Sequence, residues 1–180
     1  AGWDNRPYVT LSFGTRGYGK RWFPEKTKWP ELAGRLLEQG LAVVWLGGPD
    51  ERELGAELSA LAPGSIDLSG RTTIPEALAI QHGAYGNVAI DTGLAHTAAA
   101  TGRPTVVLMG HSPEPLIAAV GPRVVLLRGS AVDSHAGESE GFETYGAVAH
   151  RVSPLRVVNA LHALAAEAEG RAIPGPGLAR

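Results

Sequence analysis

Asp91, Thr92 and Gly93 carry the most chemistry in their spacing, with Leu94 next and His96 one turn further on. The apolar run Asn87 to Ile90 ends in a carboxylate, a hydroxyl and a glycine, and an alanine-rich stretch to Ala100 follows at once. That pattern is a strand handing over to a helix N-terminus. The first N–H groups of a helix have no intrahelical partner, and the dipole ends there positively. Such a junction binds anions, phosphates above all. Gly102 and Pro104 close the helix.

A second candidate is Lys20, which ends the glycine-rich loop Gly14-Thr-Arg-Gly-Tyr-Gly19-Lys20 after an apolar run. The loop places one lysine where it can meet phosphate. It has the letters of a P-loop, but Arg21 stands where that motif needs Ser or Thr for magnesium, and Pro24 interrupts the required helix. Asp91-Thr92-Gly93 also spells the aspartic-protease triplet. There is one copy, however, and a helix in an α/β pattern follows it. Gly110-His111-Ser112 is half of a nucleophile elbow, broken by Pro113 and Glu114. The six histidines show no metal-ligand spacing, and Asp133 to Gly137 fails the EF-hand pattern, so no metal is expected.

The elements that must position these residues are legible. Tyr8 to Phe13, Leu41 to Leu46, Ser65 to Leu68, Asn87 to Ile90, Thr105 to Met109 and Arg123 to Leu127 read as strands. Trp29, Leu32, Ala33, Leu36 and Leu37 recur at helical spacing, with Gly40 at the end. A helix is expected over 50–61, and Thr73 with Glu76 makes a capping box for another over 74–83. Ser153 and Pro154 open a last helix running to residue 169. This alternation predicts an α/β fold: a Rossmann-like parallel sheet with helices on both faces. Ligands in such sheets bind at the carboxyl ends of strands, so loops 14–20, 47–51, 91–93 and 110–114 should rim one crevice. Trp22, Trp29 and Trp45 lie on apolar patterns and read as core.

Composition sets bounds. The 180 residues are 44% hydrophobic and 19% charged, which suits one domain with a substantial core. Residues 1–170 are read as that domain, 129–146 as a long Gly/Ser/Glu-rich loop, and 171–180 as a flexible tail. The net charge of −2 argues against a nucleic-acid or anionic-membrane surface. The absence of cysteine excludes disulfides, thiol catalysis and cysteine-ligated zinc. No apolar run approaches the roughly 20 residues of a membrane span. A cytoplasmic protein is expected. Met109 is the only methionine and residue 1 is alanine, so residue 1 is not read as a natural translation start: the chain is read as a fragment, a processed product or an engineered piece.

Together these segments resemble glycosyltransferase family 9, the ADP-heptose:lipopolysaccharide heptosyltransferases, in its C-terminal half. Lys20-Arg21-Trp22 with Pro24 is similar to the family's K-[RH]-W-P, and Leu46 to Glu51 to its G-x-P-x-E loop. Leu68 to Thr73 resembles L-x-G-x-x-[ST], and Asp91 to Ala100 resembles D-[TS]-G-x-x-H-x-A-A-A, the most specific mark. Arg103-Pro104 through Gly110, Glu140-Gly141-Phe142 and Ser153-Pro154 follow in family order. Phe23 is an insertion before Pro24, and His111 replaces a proline.

The resemblance implies the nucleotide-sugar-binding half of a GT-B transferase that is inverting and metal-independent, with ADP-heptose or a related nucleotide sugar as donor and no cofactor. Asp91 would hold sugar hydroxyls, and the backbone from Thr92 through Gly93 and Leu94 to Ala95, with the Thr92 hydroxyl, would bind the diphosphate. The bland alternative for Asp91 or Thr92 is a simple N-cap. Lys20 would stabilise the leaving diphosphate. Thr15 would donate to the same phosphates or merely form a turn. His96 would reach the phosphates or brace Asp91, against a purely structural role. Glu51 would bond the ribose, or serve as a favourable charge at a helix N-terminus. Glu140 receives no role. The implied acceptor is a lipopolysaccharide core or another glycan. The general base is expected in an N-terminal acceptor half outside this chain, which would also bring the enzyme to the inner membrane. Two alternatives stand beside this: a stand-alone nucleotide-binding or assembly domain, and the half of a UDP-sugar transferase.

Overall fold

A computed structural model describes residues 5–17, 20–110, 118–128, 149 and 151–168. The expected rim residues His111 to Glu114, the 129–146 loop with Glu140, and the 171–180 tail lie outside the described residues.

The strands are β1 (Tyr8–Ser12), β2 (Ala42–Leu46), β3 (Ile66–Asp67), β4 (Gly86–Ile90), β5 (Thr105–Leu108) and β6 (Val124–Leu127). They form one parallel sheet in the order β3-β2-β1-β4-β5-β6. The helices are α1 (Glu25–Glu38), α2 (Arg52–Leu61), α3 (Ile74–Gly83), α4 (Gly93–Ala100) and α5 (Pro154–Ala168). This is the doubly wound, Rossmann-like arrangement the alternation predicted. The order reverses between β1 and β4, which places a ligand crevice at their carboxyl ends. The strand read at Ser65 to Leu68 shrinks to two residues at one edge of the sheet, paired with Val44 and Trp45.

Side chains alternate across the sheet and divide the core. Val9, Leu11, Phe13, Trp45, Val88 and Ile90 join α1, α2 and α5 in one apolar cluster. On the other face Ala89 and Val107 pack under Ala95 and Ala99 of α4. Small residues let that helix lie close to the sheet, which fixes where its first turn points. Trp22, Trp29 and Trp45 are all fully buried. Trp22 and Trp29 meet edge to face at 4.9 Å between ring centroids, a favoured aromatic geometry. The indole N–H of Trp22 donates to the Val152 carbonyl at 2.9 Å, and that of Trp45 to Ser65 Oγ at 2.8 Å.

The ends of the helices follow local chemistry. Gly40 (φ 80°) and Gly102 (φ 70°) take the left-handed conformation that closes α1 and α4. Thr73 and Glu76 form the reciprocal capping box of α3, with Thr73 N–H donating to Glu76 Oε2 at 2.7 Å. Those bonds hold the Glu76 carboxyl below the usual carboxylate range.

At the amino ends of the strands, away from the crevice, His162 links three elements. Its Nδ1 lies 2.9 Å from Tyr85 Oη and its Nε2 lies 2.8 Å from Gln39 Oε1. The amide oxygen can only accept, so Nε2 carries the proton and Nδ1 accepts from the tyrosine. Burial pushes the His162 pKa below its ordinary value of about 6.5. The unfolded chain therefore binds the proton more tightly. The stability contributed by the neutral imidazole is complete above about pH 6.5 and drains as pH falls through the lower folded pKa. Urea midpoints between pH 5 and 8 should show that acid-side loss, and His162→Gln should flatten it. A midpoint of the parent chain that rises as pH falls from 6.5 would contradict this assignment.

Candidate functional site

The loops after β1, β2 and β4 converge with the start of α3 on a crevice of about 640 Å³. Thr15, Lys20, Glu51, Asp91, Thr92, Gly93 and Leu94 all line it. Seven residues chosen from segments distant in sequence thus share one cavity at the topological switch point.

Asp91 follows the last residue of β4, and its backbone N–H donates to Leu108 O at 3.2 Å, which ties it to β5. Only 3% of its side chain is exposed. Lys20 reaches in from the β1 loop and sets Nζ 2.8 Å from Asp91 Oδ2, with 25% of its own side chain open to solvent. The ammonium supplies the charge partner a buried carboxylate needs. Lys20 is itself held by its N–H, which donates to Gly17 O at 3.0 Å.

Thr92 occupies the N-cap position of α4, yet its side chain makes no capping bond. Its hydroxyl is buried and has no hydrogen-bond partner among the described residues. An idle, buried N-cap hydroxyl is costly unless something else uses it. The first helical amides, Gly93 and Leu94, lack intrahelical acceptors by position. The Ala95 N–H differs from expectation: it donates to Thr92 O at 3.0 Å, closing a tight first turn. A Cβ on Gly93 would meet no atom within 4 Å, so the side of the helix end facing the crevice is open.

Glu51 ends a short 3₁₀ turn, Pro49–Glu51, ahead of α2. Its Oε2 accepts from Gly48 N–H at 2.7 Å, and its side chain lies across Gly14. The carboxylate therefore serves its own turn while it walls the crevice. Thr15 also has a local task, since its hydroxyl accepts from Gly17 N–H at 3.1 Å. Arg16 pairs with Asp50 at 3.3 Å, but both side chains are largely exposed, so the pair adds little stability. His96 is exposed and does not line the crevice. It projects from the same helix on another side, where Thr97 takes the inward position.

Sequence reasoning missed the opposite wall. Thr72, Thr73, Ile74 and Ala77 line the crevice from the start of α3, and Ile74 is 71% exposed. The capping box marked where α3 begins. Nothing local told that this end borders the crevice. Among the described residues, no group of three or more His, Asp or Glu side chains is placed to hold a metal ion. No helix among them is long and apolar enough to cross a membrane.

A parallel sheet with an uncapped helix start, a cation and a carboxylate at its switch point makes this a Rossmann-like unit with a candidate site for an anionic ligand. The model of glycosyltransferase family 9 (heptosyltransferase) matches residues 2–141, and the chain belongs to that family. It is 30% identical over 145 residues to a lipooligosaccharide heptosyltransferase 2 of Haemophilus influenzae, covering 76% of this chain and 41% of that protein. Its fold is similar to that of an E. coli ADP-heptose lipopolysaccharide heptosyltransferase II, with a TM-score of 0.76 and 26% identity, over 93% of this chain and 49% of that one. It is also similar to the E. coli heptosyltransferase WaaC solved with ADP, at a TM-score of 0.64 and 26% identity, over 71% of this chain and 39% of that one. The chain thus spans under half the length of these relatives.

Proposed function

We propose that this chain is the donor-binding half of an inverting, metal-independent heptosyltransferase that uses ADP-heptose or a close nucleotide sugar. The observation that carries the reading is the Lys20–Asp91 pair set against the uncapped start of α4. One cation, one carboxylate and a row of amides suit a diphosphate joined to a polyol. The related WaaC was solved with ADP, which supports the adenine nucleotide.

The chemistry follows from charge. An acceptor hydroxyl forms a bond to the anomeric carbon as the bond from that carbon to the diphosphate oxygen breaks. The acceptor proton passes to a general base in the other half of the enzyme, and the electron pair leaves with the nucleoside diphosphate. Lys20 and the Gly93 and Leu94 amides stabilise the negative charge that grows on that leaving group. Asp91 accepts from sugar hydroxyls once Lys20 turns to the phosphates. The acceptor would be a lipopolysaccharide core, and the reaction would run at the cytoplasmic side of the inner membrane.

Calorimetric titration tests the reading. The chain should bind ADP with a dissociation constant of about 0.1 to 1 mM, more tightly than UDP, and should transfer nothing to an acceptor by itself. No heat from ADP, UDP or ADP-heptose at millimolar concentration would sink the donor-site reading. Transferase activity of the chain alone would refute the assignment of the base to another half.

A further inference from the structure

We propose that Gln81 is a positioning residue for the diphosphate subsite, an inference that rests on the donor-site reading. Gln81 lies in the last turn of α3 and is completely buried. A buried amide needs both its ends satisfied. Here Nε2 donates to Leu94 O at 2.9 Å, and Oε1 accepts from Thr97 Oγ1 at 2.7 Å. Leu94 and Thr97 belong to the opening of α4, and both line the crevice. One side chain therefore grips the anion-facing end of α4 at two points.

The grip has a fixed anchor. Tyr8 Oη on β1 donates to Ile80 O at 2.7 Å, which pins the end of α3 to the sheet. Asn87 on β4 donates from Nδ2 to Gln81 O at 3.4 Å and accepts from Thr10 Oγ1 at 2.6 Å. A buried chain of hydrogen bonds thus runs from the two switch-point strands through Gln81 to the first turn of α4. The same helix α3 brings Thr73, Ile74 and Ala77 to the facing wall. Gln81 fixes the distance between the two walls. An apolar residue of equal size would fill the space but leave the roll of α4 about its axis to packing alone. Alanines at 95, 98 and 99 carry few directional contacts, so the hydrogen bonds set the aim of the amides.

Gln81→Met keeps the volume and removes both bonds. In ligand-observed NMR titrations of the chain, ADP and inorganic pyrophosphate should each bind about tenfold more weakly, while adenosine changes by less than about twofold. A purely structural role would lower the melting temperature and leave all three affinities alone, and that result overturns the proposal. So does an equal loss for adenosine, which would report general loosening. Gln81→Asn, too short to reach Leu94, serves if the methionine variant does not fold, with the same expected split. If the parent chain binds neither ADP nor pyrophosphate, the donor-site reading falls and the positioning role with it. If the parent binds and the variants match it, the positioning role alone falls.

Discussion

Lys20→Ala is expected to weaken ADP binding by at least about tenfold and to lower the stability of the fold in the same step. On the proposed donor-site reading the affinity loss follows from removing the lysine that lines the crevice, because a charge-assisted bond to phosphate is among the stronger polar contacts. The stability loss has another source. Asp91 stays behind with 3% of its side chain exposed and loses the ammonium that sits 2.8 Å away. Breaking a fully buried pair costs 3–5 kcal/mol as a rule. Lys20 is 25% exposed and the α4 dipole still favours an anion beside it, so about 2 kcal/mol is the better figure.

Asp91→Asn should behave differently. It leaves no buried charge, and Lys20 can swing to water, so stability should fall by about 1 kcal/mol or less. It also removes the anion that competes with phosphate for Lys20. ADP affinity should stay within about threefold of the parent, while ADP-heptose affinity falls by about tenfold because the sugar hydroxyls lose their acceptor. Denaturant melts and parallel titrations with both ligands check this. Unchanged ADP affinity in Lys20→Ala would remove the lysine from the diphosphate site.

Much of this site was legible before any coordinates because its parts are local. Asp91, Thr92 and Gly93 sit at a strand-to-helix junction that apolar patterning alone marks. The glycine-rich loop ending in Lys20 follows a strand, and strand ends in parallel sheets converge. What escaped depends on pairings between distant segments. Gln81 and Asn87 look like ordinary polar residues in sequence, because the partners that satisfy them come from α4 and β1. His96 shows the limit of helical spacing. One turn inside α4 put it near the site in sequence, but α4 buries Ala95 and Ala99 and brings Thr97 to the crevice, which leaves His96 exposed. Likewise β3 was read from its residues over Ser65 to Leu68, but only Ile66 and Asp67 pair with β2.

Gly14→Ala should reduce donor affinity without touching any ligand, and the reason lies in Glu51. A Cβ on Gly14 would overlap Glu51 Cγ and Cδ, which cross directly over it. Gly14 φ is not positive, so the glycine is there for space and not for an unusual backbone. The new methyl group must push the carboxylate aside. Glu51 then gives up its bond to Gly48 N–H, now 2.7 Å, and leaves the crevice wall between the β1 and β2 loops. A hydrogen bond to a charged group is worth about 1.5–3 kcal/mol, but Glu51 can regain water, so a stability loss of about 1 kcal/mol is expected. ADP affinity should fall about as far as it does in Glu51→Ala. The two changes act through one side chain, so they should not add. In the Glu51→Ala background the Gly14 substitution should cost nothing further in affinity, since the space it needs has been cleared. Additive losses across that double-mutant cycle would show that Gly14 affects the site by a route that does not pass through Glu51, and would overturn this account.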